Sequence, residues 1–85
     1  MPPYEYLLTE RAFYAIETCE DAEARQLLLA IEMLARDPRR HARFYAWDHK
    51  GRMIPWLEVG TLFVGYIVDH PAKRIEIVDV LRPIR

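Results

Sequence analysis

The sequence predicts an α+β domain in which an N-terminal helical hairpin packs on one face of a small antiparallel sheet. Three observations lead there. Residues 53–81 hold three consecutive runs rich in Val, Ile, Leu, Phe and Tyr, the side chains that suit a pleated, half-buried surface. Residues 10–36 instead repeat their apolar positions at helical spacing, twice. The length of 85 residues provides one core, so a single domain spans 1–85.

Taken in order, Tyr4-Glu5-Tyr6-Leu7-Leu8 alternates after a proline pair and reads as a first strand. Thr9 is the expected N-cap of a first helix from Glu10 to about Cys19, with Glu10 placed where the helix dipole favours an acid. Ala12, Phe13, Ile16 and Cys19 line one face of that helix. Asp21 is the expected N-cap of a second helix over 22–36, whose stripe is Ala24, Leu27, Leu28, Ile31, Leu34 and Ala35. Asp21/Arg25 and Glu32/Arg36 have the spacing of ion pairs along it. Asp37-Pro38 ends the helix, because the residue before proline is pushed out of the α region.

Beyond the helices, Arg39-Arg40-His41-Ala42-Arg43 is a basic loop, Phe44–Trp47 a short strand, and Asp48-His49-Lys50-Gly51 a four-residue hairpin turn. Three strands follow, at Met53–Val59, Leu62–Asp69 and Arg74–Leu81. Gly60-Thr61 suits a type II′ turn, whose first central residue needs φ > 0, and His70-Pro71-Ala72-Lys73 joins the last two strands. Pro55 has no N–H to give to a ladder, so its part of the strand belongs at an edge or a bulge. Strand alternation puts Asp79 on one face with Ile75, Ile77 and Leu81, either paired with an arginine or marking a bulge.

Composition removes most chemistries. With 52% apolar and 29% charged residues the chain is of the folded, globular type. No apolar run approaches a bilayer span and the N-terminus lacks a signal-peptide pattern, so the expected compartment is the cytoplasm, without membrane association. Serine is absent, Cys19 is the single cysteine, and His41, His49 and His70 lack metal-ligand spacing. Phosphate-loop, dinucleotide and zinc-protease motifs are absent too, so neither metal nor cofactor is expected.

Charge is distributed unevenly. Residues 1–38 hold three Arg against eight acids, a net −5, and residues 39–85 hold nine Lys and Arg against five acids, a net +4. Arg39, Arg40, His41 and Arg43 form one cationic cluster, His49, Lys50 and Arg52 a second, and Arg82 and Arg85 a third. Phe44, Tyr45, Trp47 and Trp56 interleave with them. Cations bind phosphates and aromatic faces stack on unpaired bases, which suits single-stranded RNA; a solvated edge with aromatics filling the core is the competing account.

The order of elements, the Leu-Ala-Arg-Asp-Pro stretch at 34–38, Leu57-Glu58-Val59-Gly60, Val64-Gly65-Tyr66-Ile67-Val68-Asp69 and Arg74-Ile75-Glu76-Ile77-Val78-Asp79-Val80 together resemble the RelE/ParE superfamily of toxins from type II toxin–antitoxin, or plasmid stabilisation, systems. That resemblance implies a compact twisted antiparallel sheet, with the helical hairpin on one face and a cognate antitoxin covering the opposite one. For RelE-like members it implies metal-independent cleavage of ribosome-bound mRNA, by attack of a 2′-hydroxyl on the adjacent phosphate while cations stabilise the developing charge. For ParE-like members it implies inhibition of DNA gyrase.

Carried onto this chain, the RelE-like pattern assigns Arg82, Arg52 and Lys50 to phosphate, with His49 as the acid/base because imidazole titrates near neutrality. Arg39, Arg40, Arg43 and Arg85 are assigned to nucleic-acid binding. The pattern's arginine early in the strand after the Val-Gly turn falls at Phe63, and no acid/base group follows Arg82. This implies a weakened endoribonuclease, or alternatively a gyrase inhibitor or an inactive antitoxin-binding member. An open sheet edge near Pro55 also offers a route to a homodimer.

Overall fold

Among the described residues, five strands and two helices follow one another as β1 (Glu5–Leu8), α1 (Glu10–Glu17), α2 (Asp21–Arg36), β2 (Phe44–Trp47), β3 (Met53–Val59), β4 (Leu62–Asp69) and β5 (Arg74–Leu81). The computed structural model describes residues 3–39 and 42–83. All five strands join one sheet in the order β1-β5-β4-β3-β2. The predicted bounds of β2 to β5 match those observed, and the α+β class holds.

The sheet is mixed where a purely antiparallel one was expected. Hairpins make β2–β3, β3–β4 and β4–β5 antiparallel, but β1 runs parallel to β5, with Tyr6 opposite Ile75 and Leu8 opposite Ile77. The chain leaves β1 through both helices and returns by three reversals, so direction at that edge is set by the whole path.

Local chemistry explains the element ends. Thr9 caps α1, its Oγ1 accepting from the Ala12 N–H at 3.1 Å. The α1 helix stops at Glu17, earlier than expected, and three residues separate it from α2. The N-cap of α2 is Glu20 rather than Asp21, in a reciprocal capping box with Glu23. Asp21 is already helical, and neither Asp21/Arg25 nor Glu32/Arg36 forms an ion pair. Gly60 has φ 61° in the β3–β4 turn, as a type II′ turn requires.

The main core lies between the helices and the sheet. Leu27, Ile31 and Leu34 of α2 and Ala12 of α1 pack on Leu57, Val64, Ile75 and Ile77, all buried. Leu34 has no accessible surface, so Leu34→Ala is expected to cost about 2–5 kcal/mol, read as a lower urea midpoint. A second cluster of Ile54, Trp56 and Val78, with Phe63 and Ile67 against it, covers part of the opposite face.

Gly65 pairs with Asp79 but Tyr66 pairs with Ile77, so Val78 is an extra residue in β5. This irregularity breaks strict alternation: Ile77 and Val80 both enter the helix-side core, while Val78 joins the other cluster and Leu81 lies exposed opposite Phe63. The grouping of Asp79 with Leu81, Ile75 and Ile77 therefore does not hold. Asp79 itself is 5% exposed and bound by Arg11, whose Nε and Nη2 reach its Oδ2 at 3.2 and 3.1 Å.

Pro55 does not mark the sheet edge, since β3 lies between β2 and β4. It pairs with Tyr45 on the β2 side, while the β4 pairing of β3 runs only from Trp56 to Val59. Its missing N–H therefore falls where β3 has already left β4.

Candidate functional site

The β2–β3 loop is built around one carboxylate. Asp48 Oδ1 accepts from the backbone N–H groups of Lys50 at 2.9 Å and Arg52 at 2.7 Å. Its Oδ2 accepts from Arg52 Nε at 2.7 Å, and the Asp48 N–H donates to the Arg52 carbonyl at 2.8 Å. Gly51, at φ 75°, turns the chain. The backbone pairing of Asp48 with Arg52 tightens what was expected to be a plain four-residue turn. His49, Lys50 and Arg52 project from it, all exposed. The loop thus presents an imidazole, an ammonium and a guanidinium on a rigid base.

Burial works against the Asp48 charge, but donation from the Arg52 N–H and guanidinium and from the Lys50 N–H outweighs it and holds the carboxyl below its ordinary value. A depressed native pKa adds stability above the unfolded value of about 4, lost as pH falls through the native one. Asp48→Asn is accordingly expected to flatten the acid limb of the pH–stability curve, measured by urea unfolding from neutral pH downward.

Arg82 sits elsewhere. Its Nη1 donates to Glu23 Oε2 and its Nη2 to Glu23 Oε1, both at 2.9 Å, a two-point fork tying the end of β5 to the start of α2. The hydrogen bonds from Arg82 lower the Glu23 pKa, and the same partner raises that of Arg82. Arg82 also lines a shallow hollow with Glu58, Gly60, Thr61 and Phe63.

Register separates these groups. Trp56, Gly65 and Asp79 lie at one level across β3, β4 and β5. Arg52 precedes Trp56 by four positions and Arg82 follows Asp79 by three, and β3 and β5 run in the same direction. Their backbones are therefore roughly 20 Å apart along the strands at ~3.3 Å per residue. Arg52, Lys50 and His49 meet at one end of the sheet, and Arg82 stands at the other. One phosphate cannot touch both sets.

Among the expected nucleic-acid contacts, Arg43 ion-pairs through Nε with Glu58 at 3.4 Å. Arg39 is exposed just beyond α2, and Arg40 and Arg85 lie outside the described residues. Trp56, expected among the stacking aromatics, is 2% exposed and parallel to Phe44 at 6.4 Å, so it serves the core. Tyr45 and Trp47 are 67% and 65% exposed. Phe63 meets Phe44 edge-on at 5.2 Å. Among the described residues no cluster of His, Cys, Asp or Glu could hold a metal ion.

Sequence reasoning missed Asp48 and Glu23, which position Arg52 and Arg82. The Asp-x-x-Gly spacing of 48–51, a turn signature in which Asp binds backbone N–H groups, was the available signal for the first. Nothing local signals the second, 59 positions away from its partner.

The fold is that of the RelE toxins. An archaeal RelE–RelB complex from Pyrococcus horikoshii has a chain that superposes with a TM-score of 0.77 at 17% identity, covering 95% of this chain and 96% of that one. The toxin–antitoxin complex RelBE2 of Mycobacterium tuberculosis gives 0.75 at 19% identity, covering 98% and 94%. The intact Escherichia coli RelBE complex gives 0.75 at 15% identity, covering 96% and 99%. No family model matches the sequence, and no curated protein sequence does. Among the described residues no helix is long and apolar enough to cross a membrane.

Proposed function

We propose that this chain is the toxin of a type II toxin–antitoxin system, that a cognate antitoxin covers it, and that it acts on ribosome-bound mRNA in the cytoplasm. The likeness of fold over nearly the full length of both chains, with toxins solved in complex with antitoxins, carries this reading. The surface agrees with an anionic target, since the sheet half holds the positive charge and the β2–β3 loop gathers His49, Lys50 and Arg52. In cleavage these three form the phosphate-handling end: His49 takes the 2′-hydroxyl proton as the 2′-oxygen bonds to phosphorus, Lys50 and Arg52 stabilise the charge growing on the phosphate oxygens, and the P–O5′ bond breaks with the 5′-oxygen taking a proton from water. Arg82, at the far end, holds a neighbouring phosphate of the same strand, with Arg39 and Arg43 as further contacts.

A second reading is favoured by Phe63 at the pattern's arginine position and by the Glu23 fork on Arg82. In it the chain only occupies a protein target, gyrase or the antitoxin. Inducible expression in a bacterium, with transcript 5′ ends mapped and nucleoids imaged, separates the two. Growth arrest with new cuts inside translated codons is expected; filamentation with intact transcripts would move the assignment to gyrase. Glu23→Gln, which weakens the restraint on Arg82, is expected to deepen the arrest, scored by colony counts.

A further inference from the structure

A cavity of about 600 Å³ opens where the first half of β3 parts from the second half of β4. It lies at the sheet end opposite Arg82, beside the phosphate-handling loop, with which it shares Arg52. Pro55 contributes no N–H to close the gap, and the β3–β4 pairing ends at Trp56 and Gly65, so Tyr66 lies beyond the β3 ladder. The result is a slot between two strands of one sheet, of a size that takes a drug-sized ligand.

Its lining combines flat apolar walls with cations. Tyr45 and Pro55, direct cross-strand neighbours, form one side, Tyr66 and Val68 another, and Arg39 and Arg52 stand at the rim. Tyr45 is mostly exposed, and among the described residues its ring has neither a hydrogen bond nor an aromatic partner. Only Nε of Arg52 is engaged by Asp48, so its two terminal nitrogens have no acceptor among the described residues. Arg39 likewise has no ion-pair partner among them. An aromatic face beside two guanidinium ends that have no acceptor among the described residues selects a ligand with a planar ring and a phosphate.

We propose that this slot binds one nucleotide, its base stacked on Tyr45 and its phosphate held between Arg39 and Arg52. An acidic peptide satisfies the cations but leaves the flat Tyr45–Pro55 wall unused, which favours the nucleotide. The RNA reading above is needed only for the source of that nucleotide, the one on the bound strand whose phosphate Arg52 meets at the point of cleavage. Binding at the slot therefore fixes register along the RNA.

The test titrates the full chain with adenosine 5′-monophosphate, followed by amide shifts of Ile54 and Val68, with adenosine and inorganic phosphate as controls. Saturable binding of the monophosphate, tighter than either control, is expected. Tyr45→Ala and Arg39→Gln, both at exposed positions, should each weaken it roughly tenfold. No saturable shift, phosphate binding as well as the nucleotide, or an acidic peptide binding in its place overturns the proposal. A trinucleotide RNA without terminal phosphate then assigns the source: its binding supports a position within a strand, and its failure beside a bound monophosphate leaves the slot standing as a free-nucleotide site. Absence of growth arrest refutes the toxin reading without touching these titrations.

Discussion

Replacing Gly65 with valine is expected to remove most of the stability of the domain. A Cβ at this position would stand 2.9 Å from Ile54 Cδ1 and 2.9 Å from Trp56 Cη2, closer than real side chains approach. Neither neighbour has room to retreat. Ile54 and Trp56 are both 2% exposed, and the indole Nε1–H donates to the Ala46 carbonyl at 3.2 Å, which fixes the ring above the glycine. Overpacking of this kind costs about 1–3 kcal/mol for a methyl-sized excess, and valine adds two further carbons. Against the roughly 5–15 kcal/mol available to a small domain, Gly65→Val should shift the urea midpoint strongly and Gly65→Ala by less. Pairing Gly65→Ala with Trp56→Leu, which opens the space, should restore part of the loss; equal stability in all variants would show that the ring does not rest on the glycine.

Alanine at both Arg52 and Arg82 is expected to abolish growth arrest, and the two single substitutions should act independently. Arg52 lies with His49 and Lys50, so on the proposed reading its loss should remove charge stabilisation at the reacting phosphate, an effect of about 10²–10³ in rate. Arg82 lies roughly 20 Å away along the strands and, on the proposed reading, meets a different phosphate, so its loss is expected to weaken RNA binding more than chemistry. Sites that far apart combine nearly additively in free energy, so the fold losses should multiply. Transcript-cleavage rates for the four proteins decide the matter: a double variant no worse than Arg52→Ala would place both arginines on one phosphate and contradict the register. Circular dichroism of each variant is the control, since Arg52→Ala also strips Asp48 of its side-chain partner.

Legibility followed the range of the forces involved. β3, β4 and β5 were readable to the residue because each is a dense apolar run closed by its own turn chemistry, Gly60 at one end and the Asp69–Lys73 reversal at the other. The start of α2 was misread by one residue because Glu20 and Asp21 both suit a cap, and only the reciprocal bonds between Glu20 and Glu23 decide between them. Of the candidate site, the His49-Lys50-Gly51-Arg52 cluster was visible as a charged turn. That Arg82 does not join it was not visible.

By itself, then, the chain's pattern of apolar spacing, turn residues and charge determined the element order, the α+β class and the charged turn between β2 and β3. These depend on neighbours a few positions apart. The tertiary structure alone decided the parallel seating of β1 on β5, the pairing of Asp79 with Arg11, and the fork from Glu23 to Arg82. Each joins groups 59 or more positions apart, whose encounter depends on how the whole chain reverses and packs, and no local spacing records that.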